Sequence, residues 1–189
     1  MTIRPVAEEP GDARNAIFVR EATLADVDRI VDIHTRARSA YYTLGGLAHD
    51  IIVTPTAERE RRTGWTESIR SSEKKVLCAV TDGQVVGIAA MGPPLSPEED
   101  ARSVGQLYQI HVGPGVWGNG IGSVLHAAFV QYLADVSLST GLLEVWERNT
   151  RAQAFYARHG WRPTGSAGGP DQSNYVFLRL RPSPAVRPR

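Results

Sequence analysis

Residues 106–135 read QLYQIHVGPGVWGNGIGSVLHAAFVQYLAD, and three segments of different character follow one another within them. The first, 106–112, is a mostly apolar run of strand length. The last places Ile121, Val124, Leu125, Ala128, Phe129, Tyr132 and Leu133 at i, i+3, i+4, i+7 and i+8 intervals, the stripe of an amphipathic helix. Between them Trp117-Gly118-Asn119-Gly120-Ile121-Gly122 forms a glycine loop that leads straight into that helix. A helix entered this way offers unpaired backbone N–H groups and the positive end of its dipole, and glycine lets a ligand approach the main chain closely. The stretch therefore predicts strand, glycine turn and helix; the turn either binds an anion, with phosphate as the natural guest, or is glycine-rich for steric reasons alone.

Upstream, residues 17–20 read as a short strand. Thr23 stands as an N-cap with Asp26 three positions on, before Val27, Ile30, Val31, His34, Ala37 and Tyr41 recur at helical spacing. Residues 42–55 read as irregular, and 56–69 as a polar helix with Trp65 and Ile69 on one side. Strands at 75–81 and 84–91 are joined by Asp82-Gly83, a dipeptide suited to a tight hairpin turn. The following loop, 92–102, carries Pro93, Pro94, Pro97 and the acidic run Glu98-Glu99-Asp100, which reads as solvated. Downstream, Gly141 punctuates the start of a strand at 142–147. Asn149 or Thr150 caps a short helix bearing Ala152, Phe155 and Tyr156, and Gly160 closes it. Strands at 161–165 and 174–180 end the pattern. The order βα(α)βββαβαββ predicts an α/β fold: a mixed, mostly antiparallel central sheet flanked by helices. One domain is expected over 16–181, between flexible tails at 1–15 and 182–189.

Composition narrows the function classes. The 21 basic and 20 acidic residues leave a formal charge of +1, so broad electrostatic capture of nucleic acid is not indicated. Cys78, the one cysteine, lies in the apolar run Val76-Leu77-Cys78-Ala79-Val80 and reads as a buried structural thiol. No apolar stretch approaches the roughly 18 residues that span a bilayer, and no signal-peptide pattern opens the chain, so a soluble cytoplasmic protein without membrane partners is expected. The histidines show no ligand spacing with acidic or cysteine partners, and no metal is expected.

Spacing also tests the phosphate ligand. A dinucleotide fingerprint G-x-G-x-x-G starting at Gly118 would need glycine at 123, where Ser123 stands. A triphosphate P-loop needs G-K-[ST], and the loop has no lysine. The combination of Gly120-Ile121-Gly122 after a strand with Asn149, Ala152, Phe155, Tyr156 and Gly160-Trp161 about thirty residues downstream resembles the GNAT superfamily of acetyl-CoA-dependent N-acyltransferases. The resemblance spans about Ile17 to Leu180, with one departure: Trp117 occupies the position that is Gln or Arg in the family's loop.

The resemblance implies acetyl-CoA as acyl donor, with no metal. The backbone of Ile110, His111 and Val112 would follow the pantetheine arm, and the loop from Trp117 through Gly118, Asn119, Gly120, Ile121, Gly122 and Ser123 would hold the pyrophosphate through its N–H groups. Asn149 and Tyr156 would also contact the donor. Tyr156 matches the family's general acid, although a phenol beside Phe155 is also a sound core residue. Glu144 matches the general base of some members; His111, or water relayed to solvent, are the other sources. The acceptor would be a primary amine, on a small molecule or a protein or peptide N-terminus, acetylated directly in a ternary complex. Freeing an α-amino group at pH 7 costs about 1 to 1.4 kcal/mol and freeing a lysine amine about 4.6, so a weak base favours the former. In this family residues 40–65 and the last strands shape the acceptor site, so Tyr41, Tyr42 and Trp65 either line a pocket or pack. The family also allows a homodimer through the final strands. A non-catalytic acyl-CoA-binding regulatory module is the alternative.

Overall fold

The run from Val76 to Val80 is buried residue by residue, and its neighbours divide between two faces. Leu77 and Ala79 pack with Ile121, Leu125, Phe129 and Leu133. Val76, Cys78 and Val80 pack with Val27, Ile30, Val31 and Trp65. Successive side chains of a strand point to opposite faces, so this strand is central and covered by helices on both sides.

The computed structural model describes residues 16–46, 54–168 and 174–182. The tail expected at 1–15, and all but Pro182 of that expected at 182–189, lie outside the described residues. The elements are β1 (Phe18–Glu21), α1 (Val27–Leu44), α2 (Pro55–Arg70), β2 (Lys75–Thr81), β3 (Gln84–Gly92), β4 (Val104–Val112), α3 (Ile121–Asp135), β5 (Thr140–Trp146), α4 (Thr150–Arg158), β6 (Arg162–Gly168) and β7 (Asn174–Leu180). This is the expected order. They form one seven-stranded sheet in the order β1-β2-β3-β4-β5-β7-β6. Only β4 and β5, joined through α3, run parallel; α1 and α2 cover one face and α3 the other. The fold is the mixed, mostly antiparallel α/β sheet expected.

Local chemistry accounts for the turns. Asp82 and Gly83 both have positive φ, 49° and 72°, as the tight β2–β3 hairpin requires. At the entry to α1, Asp26 accepts from the Thr23 backbone N–H at 2.8 Å and from its hydroxyl at 3.0 Å. Arg20 grips the same carboxylate with two bonds of 2.8 Å, joining β1 to α1. The Arg20 hydrogen bond, with the Thr23 amide, holds the Asp26 carboxyl well below the usual carboxylate range.

Four expectations need correction. Helix α1 runs to Leu44, so residues 42–44 are helical rather than irregular, while 47–53 lie outside the described residues. Strand β4 begins at Val104, two residues early, and β6 continues to Gly168. Gly141 lies inside β5 and does not break it: a Cβ there would sit 2.9 Å from Phe129 and 3.1 Å from Trp161, so glycine permits the close approach of α3. The loop after β3 is largely solvated, as expected, and is tethered as well: Glu99 pairs with Arg179, the Tyr108 hydroxyl donates to the Pro93 carbonyl, and the Leu95 N–H donates to Gln106 Oε1 at 2.8 Å. Glu98 and Asp100 remain exposed.

One core contact predicts a pH response. His126 is buried between α3 and Trp161, whose Nε1–H donates to His126 Nε2 at 2.8 Å. Burial, and then the nearby His159, push its pKa down to about 4. The unfolded chain takes up a proton on this ring below about 6.5, whereas the folded state refuses it until about 4. Stability contributed by the neutral ring is therefore full above the unfolded value and declines through that window as pH falls, by up to roughly 3 kcal/mol. Urea unfolding between pH 7 and pH 4 should show the decline. His126→Gln, which keeps an acceptor for Trp161 but does not titrate, should remove about one proton from the slope.

Candidate active site

Strands β4 and β5 pair only through Val104–Thr140, Gly105–Gly141 and Gln106–Leu142. Beyond this, β4 stays on β3 and β5 stays on β7 as far as the Trp146–Tyr175 pair. The β3–β4 register steps from Ala90–Gln109 to Met91–Leu107, so Tyr108 is an extra residue on β4 just past the last β5 pair. A bulge bends and twists its strand, and here it accompanies the parting of β4 from β5. A cavity of about 500 Å³ occupies this region, with Tyr108 to Val112 along β4 and Glu144 to Trp146 along β5 in its walls.

The glycine loop lines the same cavity. Gly118 and Gly120 have φ of 89° and 79°, values that admit glycine without strain. Gly120 caps α3, no side chain bonds to the cap, and the first helical bond is Val124 N–H to Gly120 O at 3.1 Å. The amides of Ile121, Gly122 and Ser123 precede that bond and have no acceptor within the helix. All three residues line the cavity, as do Trp117, Gly118 and Gly120; Asn119, in the turn, does not. Trp117 braces the loop. Its Nε1–H donates to the Val112 carbonyl at 2.8 Å, and the Arg151 guanidinium lies 3.8 Å from its ring centroid. Trp117 thus packs on the loop and lines the cavity at once.

Tyr156 projects from α4. Its ring packs edge-on against Phe155 and Trp161 at 5.2 and 5.7 Å, and the residue is buried. No described residue hydrogen-bonds its hydroxyl, and burial raises the phenol's pKa, keeping it protonated. Asn149 accepts from the Ala152 N–H at 3.1 Å, so it is the helix cap, and it also lines the cavity. Glu144 is exposed on β5, where Gln106 Nε2 donates to it at 3.4 Å. Ile110, His111 and Val112 line the cavity along the free edge of β4. His111 stacks on His34 with centroids 4.3 Å apart, and its Nε2 lies 2.8 Å from Gln109 Oε1. Trp65 Nε1 donates to His34 Nδ1 at 2.9 Å, which places a neutral His34 proton on Nε2. Burial, then the Arg38 charge, lowers His111 to about 3, and burial drives His34 down as well, so both rings are neutral at physiological pH.

Sequence reasoning missed much of the far wall. His34, Ala37, Arg38 and Tyr41 line the cavity from α1, with Tyr42, Trp146 and Tyr175 beside them. Tyr41 and Tyr42 thus line the pocket, whereas Trp65 is buried behind His34 in the core between α1, α2 and the sheet. The only signal was the i, i+3, i+4, i+7 spacing of residues 34, 37, 38 and 41, which a core-facing stripe shares. Among the described residues no group of three His, Cys, Asp or Glu is gathered to hold a metal, and no helix is long and apolar enough to cross a membrane. Cys78 is buried, and burial pushes its thiol up to about 11.

Residues 32–161 match the model of the acetyltransferase (GNAT) family. The chain is similar to an uncharacterized N-acetyltransferase of Mycobacterium tuberculosis, 29% identical over 123 residues that cover 61% of this chain and 72% of the relative. In fold it resembles the PaiA N-acetyltransferase of Thermoplasma acidophilum in complex with coenzyme A, with TM-score 0.72, 15% identity and coverage of 88% and 99%. It likewise resembles YncA of Salmonella typhimurium with its cofactor acetyl-CoA, with TM-score 0.65, 18% identity and coverage of 92% and 98%. The family match spans well over half the chain, from α1 through the parted strands and the uncapped helix to Trp161: this protein belongs to the acetyltransferase (GNAT) family.

Proposed function

We propose that the protein transfers an acetyl group from acetyl-CoA to a primary amine, directly and within a ternary complex. The observation that carries this reading is the convergence of three features on one cavity: the free edge of β4, the uncapped N-terminus of α3 and the Tyr156 phenol. The amides of Ile121, Gly122 and Ser123 and the glycine backbone before them suit the donor's pyrophosphate, with the α3 dipole adding to the attraction. Backbone groups of Ile110 to Val112 suit the amide-bearing pantetheine arm and an N–H bond to the thioester carbonyl.

When bound, acetyl-CoA supplies an activated carbonyl: the amine nitrogen forms a bond to its carbon, the carbon–sulfur bond breaks, and sulfur leaves as a thiolate. Tyr156 donates the proton that this thiolate requires. Glu144, steadied by Gln106, accepts the proton the amine loses, directly or through water. The acceptor class includes small molecules and peptide N-termini.

Incubating the purified protein with acetyl-CoA and a panel of primary amines, and following thiol release, tests the proposal. Amine-dependent release with matching N-acetylated product is expected. Coenzyme A binding without turnover on any amine would favour a non-catalytic acyl-CoA-binding module.

A further inference from the structure

Arg38 is a charged feature of the cavity that acetyl transfer does not use. It projects from α1 into the cavity wall and is only partly exposed. Its Nη2 donates to the Tyr42 hydroxyl at 2.9 Å, and its guanidinium lies 5.1 Å from the Tyr42 ring centroid. Arginines outside the cavity find carboxylates, among them Arg20 with Asp26, Arg29 with Asp32, Arg62 with Asp28, Arg102 with Asp100 and Arg179 with Glu99; two further cavity-lining arginines, Arg151 and Arg158, stand on α4. No described carboxylate pairs with Arg38. A guanidinium withdrawn from water and bonded to one phenol retains donors in a fork matched to a carboxylate.

Its surroundings define what that carboxylate belongs to. Tyr41, Tyr42, Trp146 and Tyr175 form an aromatic wall, with Tyr42 and Trp146 edge-on at 4.8 Å. Glu144 is the carboxylate among the lining residues, and it lies on the adjoining strand. At its α1 and β5 walls the cavity thus presents a cation, an anion and an aromatic surface, which match the carboxylate, the amine and the side chain of an amino acid. Positive potential at the α1 wall has a second sign: after burial, the Arg38 and Arg61 charges disfavour protonation of His34.

We infer that the acceptor is a small amine bearing a carboxylate and an apolar or aromatic side chain, of the α-amino-acid type, and that Arg38 binds the carboxylate. This rests on the proposed acetyl transfer to amines and names the class of amine.

Phenylalanine and phenylalaninamide are the matched probes, since they differ at the carboxylate alone and the neutral amide has the lower-pKa amine. In thiol-release assays the wild-type kcat/KM should favour phenylalanine by on the order of 10- to 100-fold, the range of a charge-assisted bidentate contact. Arg38→Gln should collapse that ratio, chiefly through KM, and Arg38→Lys should restore part of it. Equal losses on both probes in Arg38→Gln would assign Arg38 a structural role and overturn the inference, as would a wild-type preference for phenylalaninamide or for O-phosphoethanolamine. Calorimetric titration of both probes into the protein saturated with coenzyme A gives a readout independent of turnover. If no amine is acetylated, the proposed function fails; phenylalanine binding that is lost in Arg38→Gln would still support the carboxylate site. Failure to bind phenylalanine, or equal affinity for the two probes, would overturn it.

Discussion

Tyr156→Phe is expected to lower turnover by about 10²-fold or more while leaving coenzyme A affinity within a few-fold. The substitution removes one oxygen and keeps the ring that packs against Phe155 and Trp161. No described residue hydrogen-bonds that oxygen, so no internal partner is orphaned, and the thermal midpoint should hold or rise slightly. A hundredfold loss corresponds to about 2.7 kcal/mol in the barrier, appropriate to a group that acts as the thiolate departs. Because burial raises the phenol's pKa, the hydroxyl keeps its proton through the neutral range, and loss of activity at low pH must come from another group. Single-turnover rates measured with saturating acetyl-CoA would isolate the chemical step. Unchanged rates there would return Tyr156 to the role of a core residue.

What could be read from the sequence follows from how local its causes are. Helix α3 announces itself because Ile121, Leu125, Phe129 and Leu133 all bury one face against the sheet, so the 3.6-residue period is unbroken. The β2–β3 hairpin is equally local, since Asp82-Gly83 supplies both positive φ angles. The parting of β4 and β5 is not local. It follows a single extra residue, Tyr108, whose presence depends on the register of a partner strand, and nothing in the run from Leu107 to Val112 marks where pairing stops. Strand order was hidden for the same reason: β7 inserts between β5 and β6, although it follows both in the chain. Gly141 read as a break because glycine at a strand end and glycine beneath a close-packed helix look alike in one dimension. The α1 wall of the cavity shares that ambiguity. His34, Arg38 and Tyr41 occupy the turns that follow the core residues Ile30 and Val31 on the same helix, and only the fold shows where the core ends and the cavity begins.

Gly120→Val is expected to reduce coenzyme A affinity by about 10²-fold or more, from the loss of one or two charge-assisted amide bonds to phosphate, each contributing roughly 1.5–3 kcal/mol. Two causes converge at this position. The residue caps α3 with φ of 79°, a conformation strained for a β-branched side chain, so the first turn would shift. An ideal Cβ there meets no protein atom within 4 Å, so any obstruction by the valine falls on what enters the cavity rather than on the fold. Strain alone is controlled by Gly83→Val, at φ of 72° in the β2–β3 turn and likewise clear of neighbours. Both variants should lose comparable stability in chemical denaturation, of order 1–3 kcal/mol. Only Gly120→Val should lose coenzyme A binding in calorimetric titration at fixed ionic strength. Wild-type affinity in a folded Gly120→Val protein would move the pyrophosphate away from the α3 N-terminus. An equal loss of affinity in both variants would mean that stability, and not the glycine cradle, governs binding.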